Sequence, residues 1–365
     1  MLKESLDVYR KLQKHLDTLS IGFPATKSGV EIRILKYLFT PEEAELATYL
    51  SENFESVEEI YDRAKKLVNS IDELEEILRN MVKKGCLHYK IRDQKKLYAN
   101  AYLIIGMYEF QVNRLTKEFL ANMSQYAEEA LGLELFGYGI SQFRTVPVEA
   151  SLTPEHHLPT YDELISIIET VEGPISIANC VCRQGKELIG EPCQMTTRIE
   201  NCLGFGDLAQ MYIEEGWGRE ISRKEAIEVL RKNQEEGLIL QGENAQRPGF
   251  ICSCCSCCCG VISTLKEFPN VAQFLHPRYH AEVDSELCVG CGTCIDRCQL
   301  NAIKMRKERS KINIKRCIGC GNCIAVCPEN AISLIKREKK PEPPETIQDM
   351  YAEILATKQK MKGIK

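Results

Sequence analysis

The 365-residue sequence contains no run of eighteen apolar residues, and its longest apolar stretches are broken by charge or glycine, which excludes a membrane-spanning helix. Its first twenty residues, MLKESLDVYRKLQKHLDTLS, lack the apolar core and small-residue cleavage site of a secretory leader. These two absences predict a cytoplasmic protein. No G-x-G-x-x-G follows a strand-like run, and neither G-x4-G-K-[ST] nor G-x-S-x-G occurs, so there is no case for a bound NAD, FAD or ATP, nor for a serine-hydrolase elbow. An excess of one charge is also missing. The 47 Lys and Arg against 52 Asp and Glu leave a net charge of −5, which gives no global attraction to nucleic acid or anionic membrane. Trp217, in GWGRE, is the single tryptophan and reads as a packing residue. Histidine is sparse: His156-His157 lie in a loop ahead of Pro159, His276 and His280 flank Pro277-Arg278, and none is assigned a ligand role.

Cysteine is the opposite case. There are nineteen, and all but Cys86 lie beyond residue 179. A reducing cytosol disfavours disulfides, so metal binding is the better reading of such density. The two halves of the chain must therefore do different work.

Residues 28–104 carry three capping boxes: Thr40 with Glu43, Ser56 with Glu59, and Ser70 with Glu73. Pro41 suits the first helical position after Thr40. Apolar residues recur at helical spacing behind each box, as in Leu74, Ile77, Leu78 and Met81. Gly85 stops the third helix, and two strand-like runs follow, CLHYKIR and KLYANAYL, joined by Asp93-Gln94-Lys95. Three helices and a hairpin predict a winged helix-turn-helix. Asp72, Glu73, Glu75 and Glu76 open its third helix and would repel phosphates, although Lys83, Lys84, Lys90, Arg92, Lys95 and Lys96 gather at its end and in the wing. An interaction or homodimerisation role is therefore favoured over nucleic-acid binding.

The expected organisation is an α+β multidomain chain. A helical, winged-helix-like domain spans 1–104, and a connecting helix (about 110–131) and turn span 105–150. A Cys-rich α/β middle domain follows over 151–282. It opens with a helix over 161–170, continues with the β-like run ISIANCVCR, and contains a helix begun by the Ser222/Glu225 capping box and ended at Gly237. A ferredoxin-like β-α-β-β-α-β module occupies 283–336, and a charged linker with a docking or packing helix completes 337–365.

The strongest signal is a repeat. Cys288, Cys291, Cys294 and Cys298 follow C-x2-C-x2-C-x3-C, and so do Cys317, Cys320, Cys323 and Cys327. Three cysteines of such a run reach three irons of a cubane, and in two-cluster ferredoxins the fourth ligand comes from the other run. Two [4Fe–4S] clusters are thus expected, the first on Cys288, Cys291, Cys294 and Cys327, the second on Cys317, Cys320, Cys323 and Cys298. A zinc ribbon, with two separated C-x2-C pairs, fits poorly. One departure from symmetry stands out: Pro328 follows Cys327, but Gln299 follows Cys298.

A second constellation is less regular. Cys180 and Cys182 lie in NCVCRQ, then come Cys193 and Cys202, then Cys252, Cys254, Cys255, Cys257, Cys258 and Cys259 in ICSCCSCCCG. Ten cysteines exceed what packing needs, although one or two could be simple hydrophobes. All but Cys259 form the pool of candidate ligands for at least one further Fe–S cluster, held jointly by the NCVCR segment and the CCSCCC run. Adjacent cysteines diverge in extended chain and seldom share a metal, so the C-x2-C pairs Cys252/Cys255, Cys254/Cys257 and Cys255/Cys258 are the usable ones. Arg183 and Lys186 are candidates to balance thiolate charge. A zinc site and a redox-active dithiol remain alternatives.

Residues 283–336 resemble the bacterial two-cluster ferredoxins, which implies their compact fold and low-potential electron transfer. The whole chain is similar to a family of anaerobe proteins known as 4Fe–4S dicluster-domain proteins, on the residues NCVCRQ, ENCLGFG and ICSCCSCCCG. That resemblance implies a winged-helix-like N-terminus, a C-x-C-R and CC-x-CCC middle domain and a C-terminal ferredoxin, with no particular reaction. The leading expectation is an electron-transfer protein or oxidoreductase subunit with a redox protein partner. The alternatives are a reductase whose middle-domain centre is catalytic and an Fe–S redox-sensing transcription regulator.

Overall fold

The computed structural model describes residues 2–151, 162–338 and 342–363. It divides into two compact units, one of Met1–Tyr138, Gln210–Trp217 and Tyr351–Lys365, the other of Gly139–Ala209 and Gly218–Met350. His156-His157, Tyr161 and part of the charged linker lie outside the described residues.

In the first unit, α1 (Leu2–Leu16) and α2 (Val30–Leu38) precede α3 (Pro41–Ala47), α4 (Val57–Ala64) and α5 (Ile71–Lys83). Full capping boxes form at Thr40/Glu43 and Ser56/Glu59. The third is half made: Ser70 accepts from the Glu73 amide, but the Glu73 carboxylate accepts from the Asn69 amide instead. Leu74, Leu78, Met81 and Val82 bury the inner face of α5. A hairpin follows, β1 (Leu87–Arg92) with β2 (Lys95–Asn100). Lys95 already pairs with Arg92, so the loop is only Asp93-Gln94, both at positive φ (49° and 63°) as a two-residue turn that matches strand twist requires.

The connecting helix expected over 110–131 is broken. A 3₁₀ turn at Glu109–Gln111 gives way to α6 (Lys117–Tyr126), a π turn at Ala127–Leu131 and α7 (Gly132–Phe136). Thr116 sets the start of α6 by accepting from the Phe119 amide at 3.1 Å. Phe110 instead stacks on Trp217, ring centroids 5.0 Å apart, and Trp217 is a buried packing residue as expected.

The second unit is built on one sheet: β3 (Phe143–Thr145), β4 (Ile175–Asn179), β5 (Glu200–Phe205), β6 (Gly218–Ile221), β7 (Ile239–Glu243) and β8 (Phe250–Cys254), in the order β3-β7-β8-β5-β4-β6. Every ladder in it is antiparallel, so this region is α+β rather than the expected α/β. It also contains α8 (Leu164–Thr170), α9 (Val181–Leu188), α10 (Gly206–Glu214, which runs on into the first unit) and α11 (Arg223–Glu235). One sheet face carries Ile175, Ile177, Leu203, Leu240 and Ile251 into a core with Ile167, Ile168 and Leu230 of α8 and α11. Because strand side chains alternate, Cys202, Cys252 and Cys254 belong to the opposite face. The run ISIANCVCR is not a continuous strand: β4 ends at Asn179, and Cys180 is the N-cap of α9. Ser222 caps α11, but Glu225 pairs with Arg219 instead of closing the box.

After α12 (Gly260–Lys266) and α13 (Ala272–Leu275), β9 (Tyr279–Val283) pairs with a late strand, α14 (Thr293–Arg297) follows, and β10 (Ile303–Arg306) pairs with β11 (Arg309–Ile312). The late partner of β9 is β12 (Ile332–Lys336). Residues 322–326 are turns, where the expected pattern has its second helix. The last helix, α15 (Ile347–Met361), buries Ile354 and Lys358, and Lys358 forms a buried ion pair with Glu134 at 2.6 Å. It is a packing helix.

Candidate metal centres

The eight cysteines of the repeat fall into two groups. Cys288, Cys291 and Cys294 line one pocket together with Cys327 of the other run and Ser310. Cys298 lies with Cys317, Cys320 and Cys323, whose charges act on one another. The glycines within the runs hold backbone forms that side chains resist: Gly290 and Gly319 have φ of 73° and 67°, and a Cβ would meet the Glu308 carbonyl at 2.3 Å or that of Tyr279 at 2.5 Å. Amides are thereby free to face sulfur. Ala302 donates to Cys298 Sγ and Ala331 to Cys327 Sγ, each at 3.3 Å and four residues on, repeating the pseudo-symmetry. Ala281 donates to Cys317 Sγ at 3.3 Å. Such donors stabilise sulfur-borne negative charge, which suits cluster thiolates.

The two groups differ in exposure. Cys291 is exposed, and Leu287 and Val289 beside it are 51% and 59% exposed. Amide and hydroxyl donors bring the Cys291 thiol below its usual range. Burial pushes Cys320 up to about 12 and raises Cys323 and Cys298. Only the first group has an exposed member; Cys298, Cys317 and Cys320 are half-buried and Cys323 is buried.

The ten middle cysteines also separate into two sets, and all are free thiols. Cys193, Cys255, Cys257 and Cys258 form a quartet whose Sγ atoms all lie within 4.8 Å of one another. The closest separations are 3.6 Å for Cys193–Cys255, 3.8 Å for Cys193–Cys257 and 3.7 Å for Cys257–Cys258. Four thiolates around one tetrahedral ion, at metal–sulfur bonds of about 2.3 Å, stand about 3.8 Å apart. The quartet therefore has the edge length of a mononuclear tetrahedral site. Burial opposes ionisation of Cys193, but the Met195 and Thr196 amides and the Arg183 guanidinium bring it to about 7. Burial raises Cys255 to about 12.

The other six are neighbours in a ring. Cys180 lies near Cys182 and Cys202, Cys182 near Cys259, Cys259 near Cys254, Cys254 near Cys252, and Cys252 near Cys202. The sheet builds half of it: β5 and β8 pair Leu203 with Ile251, so the register continues to Cys202 opposite Cys252, and Cys254 shares the face of Cys252. Cys180 and Cys182 come from the start of α9, and Cys259 is the N-cap of α12.

Residues 281–339 match the family model of the 4Fe-4S dicluster domain. This segment is a 4Fe-4S dicluster domain. No curated protein and no solved structure gives a match to the chain.

The dicluster domain is tied to the cysteine-rich run by the residue that departs from its internal symmetry. Gln299, next to Cys298, accepts a hydrogen bond from the Ser256 amide at 2.7 Å and donates to the Gly237 carbonyl at 2.6 Å. Asn322 donates to the Gly237 and Leu238 carbonyls, and Arg297 to those of Gln234 and Glu235. Leu238 packs on Cys255 and Cys258. The half of the dicluster domain that holds Cys298 and Cys320 is thus the half next to the quartet.

Four expectations change. The nine-cysteine pool is not gathered in one place: Cys180, Cys182, Cys202, Cys252 and Cys254 lie in the ring, and Cys193, Cys255, Cys257 and Cys258 in the quartet. The pairs Cys252/Cys255 and Cys254/Cys257 are split, whereas the adjacent Cys257 and Cys258 stay together because the chain turns there instead of extending. Cys259, left out of the pool, closes the ring. Of the two candidate counter-charges, Arg183 is buried and acts on Cys180, Cys193, Cys202 and Cys255, whereas Lys186 pairs with Glu191 at the surface.

Proposed function

We propose that this protein carries electrons one at a time between a redox protein partner and a metal centre in its own cysteine-rich domain. The observation behind this reading is an asymmetry of the dicluster domain: the set of Cys288, Cys291, Cys294 and Cys327 has an exposed member in Cys291, whereas the set of Cys298, Cys317, Cys320 and Cys323 has none and adjoins the thiol run through Gln299. Those two sets are the proposed ligands of two [4Fe–4S] clusters, paired across the repeats. Bound there, such clusters supply reversible one-electron chemistry at low potential. The exposed Leu287 and Val289 beside Cys291 give a partner an apolar surface at the first set.

The quartet is read as a site for one tetrahedral ion, zinc or iron, on the strength of its sulfur separations. In the N-terminal unit, α3, α4, α5 and the β1–β2 hairpin are read as a winged helix used for protein interaction. Four of its six cations are engaged: Lys84 pairs with Glu43, Lys95 with Glu58 and Lys96 with Glu214, and Lys90 lies 4.6 Å from the Phe54 ring centroid. That reduces the basic surface that phosphate contact needs.

Anaerobic titration of the full chain with viologen radical tests the reading. Broad visible absorbance should bleach with uptake of at least two electrons per chain and return on oxidation. Absorbance that viologen does not bleach would refute an electron-transfer role.

A further inference from the structure

The β10–β11 hairpin of the dicluster domain has two unlike faces. Its ladder sets Ile303 opposite Ile312, Lys304 opposite Lys311, Met305 opposite Ser310 and Arg306 opposite Arg309. Because strand side chains alternate, Lys304, Arg306, Arg309 and Lys311 share one face, and Ile303, Met305, Ser310 and Ile312 the other. The second face is the cluster side. Ile303 and Ile312 pack with Cys294, and the Ser310 hydroxyl lies 3.2 Å from Cys294 Sγ and lines the pocket of Cys288, Cys291 and Cys327. All four residues of the first face are exposed.

That outer face is built against itself. Like charges directly opposite each other, about 5 Å apart at Cβ, destabilise a ladder, and both opposed pairs on this face are cationic. None of the four forms an ion pair among the described residues, whereas Lys95 and Lys96 of the β1–β2 hairpin each have a carboxylate partner. Glu308 in the turn is the one carboxylate of the hairpin, and the nearby Asp284 is occupied by the Glu286 and Leu287 amides. Arg309 Nε donates to the Ser285 carbonyl at 3.1 Å, which ties the hairpin to the segment bearing the exposed Leu287 and Val289. An exposed strand edge needs charge to resist pairing with other strands, but either sign suffices and opposed pairs of one sign are avoidable. In a chain of net charge −5, four such cations beside the cluster pocket call for an anionic surface to cover them.

We propose that the outer face of the β10–β11 hairpin docks an acidic electron-transfer protein. Lys304, Arg306, Arg309 and Lys311 steer its carboxylates, and Leu287 and Val289 form the apolar contact. The proposal rests on the electron-transfer reading above and names the chemistry of the partner. A protein is favoured over a nucleic acid because the cations adjoin exposed apolar residues and the exposed Cys291, and do not continue into a longer basic track. Strand β11 holds Ser310 against Cys294 between the outward Arg309 and Lys311, so a partner on this face sits one strand away from a proposed cluster ligand.

Stopped-flow mixing of the anaerobically reduced full chain with an oxidised acidic flavodoxin tests this. Each transfer takes one electron from a reduced [4Fe–4S] cluster, which returns from the 1+ to the 2+ state, and gives it to the flavin, which takes up one proton from water. The second-order rate should fall at least about tenfold between about 20 mM and about 500 mM salt, as screening removes the steering. Lys304→Gln combined with Lys311→Gln should lower the low-salt rate about fivefold and flatten the salt dependence. Transfer to a zwitterionic viologen, which carries no net charge, should change with neither salt nor substitution. A flavodoxin rate that is flat with salt, or that the paired substitution leaves unchanged, would overturn the proposal. So would oligonucleotide binding or self-association that the paired substitution abolishes, because the face would then have a different occupant. The substitution removes a like-charge pair and should fold as the parent does; if it does not, Arg306→Gln is read in the same way. A chain that cannot be reduced, or that passes no electron to the zwitterionic viologen, counts instead against the electron-transfer reading, so the two fail separately.

Discussion

The Ser256 amide, set between Cys255 and Cys257, donates a 2.7 Å hydrogen bond to the side chain of Gln299, the residue after Cys298. At the equivalent place in the other repeat the chain has Pro328, whose ring offers no donor or acceptor. The broken symmetry therefore has a physical use: a proline would serve the local turn, but only a side-chain amide bridges Ser256 and Gly237. It joins a residue adjacent to one cluster ligand to a residue flanked by two quartet ligands.

Replacing Gln299 by proline should leave the iron content unchanged and loosen this junction. A hydrogen bond of this kind contributes about 1 kcal/mol, so exchange of the Ser256 amide should accelerate about fivefold. Hydrogen-exchange mass spectrometry on the CCSCCC peptide reads it. An unchanged rate would show that Gln299 does not hold the two parts together.

The pocket lined by Cys288, Cys291, Cys294 and Cys327 makes the two repeats interdependent. Cys327→Ser should alter the centre at Cys291, which lies in the opposite repeat's run, and Cys298→Ser the centre at Cys320. Ferricyanide attack distinguishes them, because Cys291 exposes one site to the oxidant, whereas no cysteine of the other site is exposed. Cys327→Ser should abolish the fast phase of bleaching. Loss of the slow phase instead would mean that each run keeps its own fourth cysteine.

Much of this was legible in the sequence where the signal is local. The eight-cysteine spacing is short-range, as are the Thr40 and Ser56 caps and the Gly85 and Gly237 stops. The division of the ten middle cysteines was not, because it depends on long-range register. Cys252 and Cys254 are set by pairing of β8 with β5 and β7, and Cys255, Cys257 and Cys258 turn toward Cys193, some sixty residues away. Cys259 looks like the tail of a run, yet as a helix cap it faces the ring. The uninterrupted helix expected over 110–131 failed for a similar reason: Phe110 is drawn into the cluster with Trp217, and Thr116 restarts the helix.

Glu243 gives the second unit a pH dependence. It is buried, its carboxylate accepts from the Gly249 amide at 2.6 Å, and burial raises its pKa from 4.5 to about 7. The folded state therefore holds a proton that the unfolded chain has already lost above pH 4.5. Its contribution is full below that value, declines as pH rises, and levels off above about 7. Between pH 5.5 and 7 the loss should be about 1–2 kcal/mol. Glu243→Gln should flatten the profile, as followed by denaturant midpoints. Equal slopes in both proteins would exclude this origin.

The hairpin of the first unit should not give the protein affinity for DNA. With Lys84, Lys95 and Lys96 paired to carboxylates, a fluorescent duplex at about 50 mM salt should show no binding up to about 10 μM protein. Tight binding that weakens steeply with added salt would restore the regulatory reading.

The most direct test of the whole account is a potentiometric titration of the anaerobically isolated full chain, followed by electron paramagnetic resonance with parallel iron and sulfide analysis. The account predicts two [4Fe–4S] signals that appear at low potential and integrate to two spins, from at least eight irons and eight sulfides per chain. Zinc in place of that iron, or iron that yields no reducible signal, would contradict it.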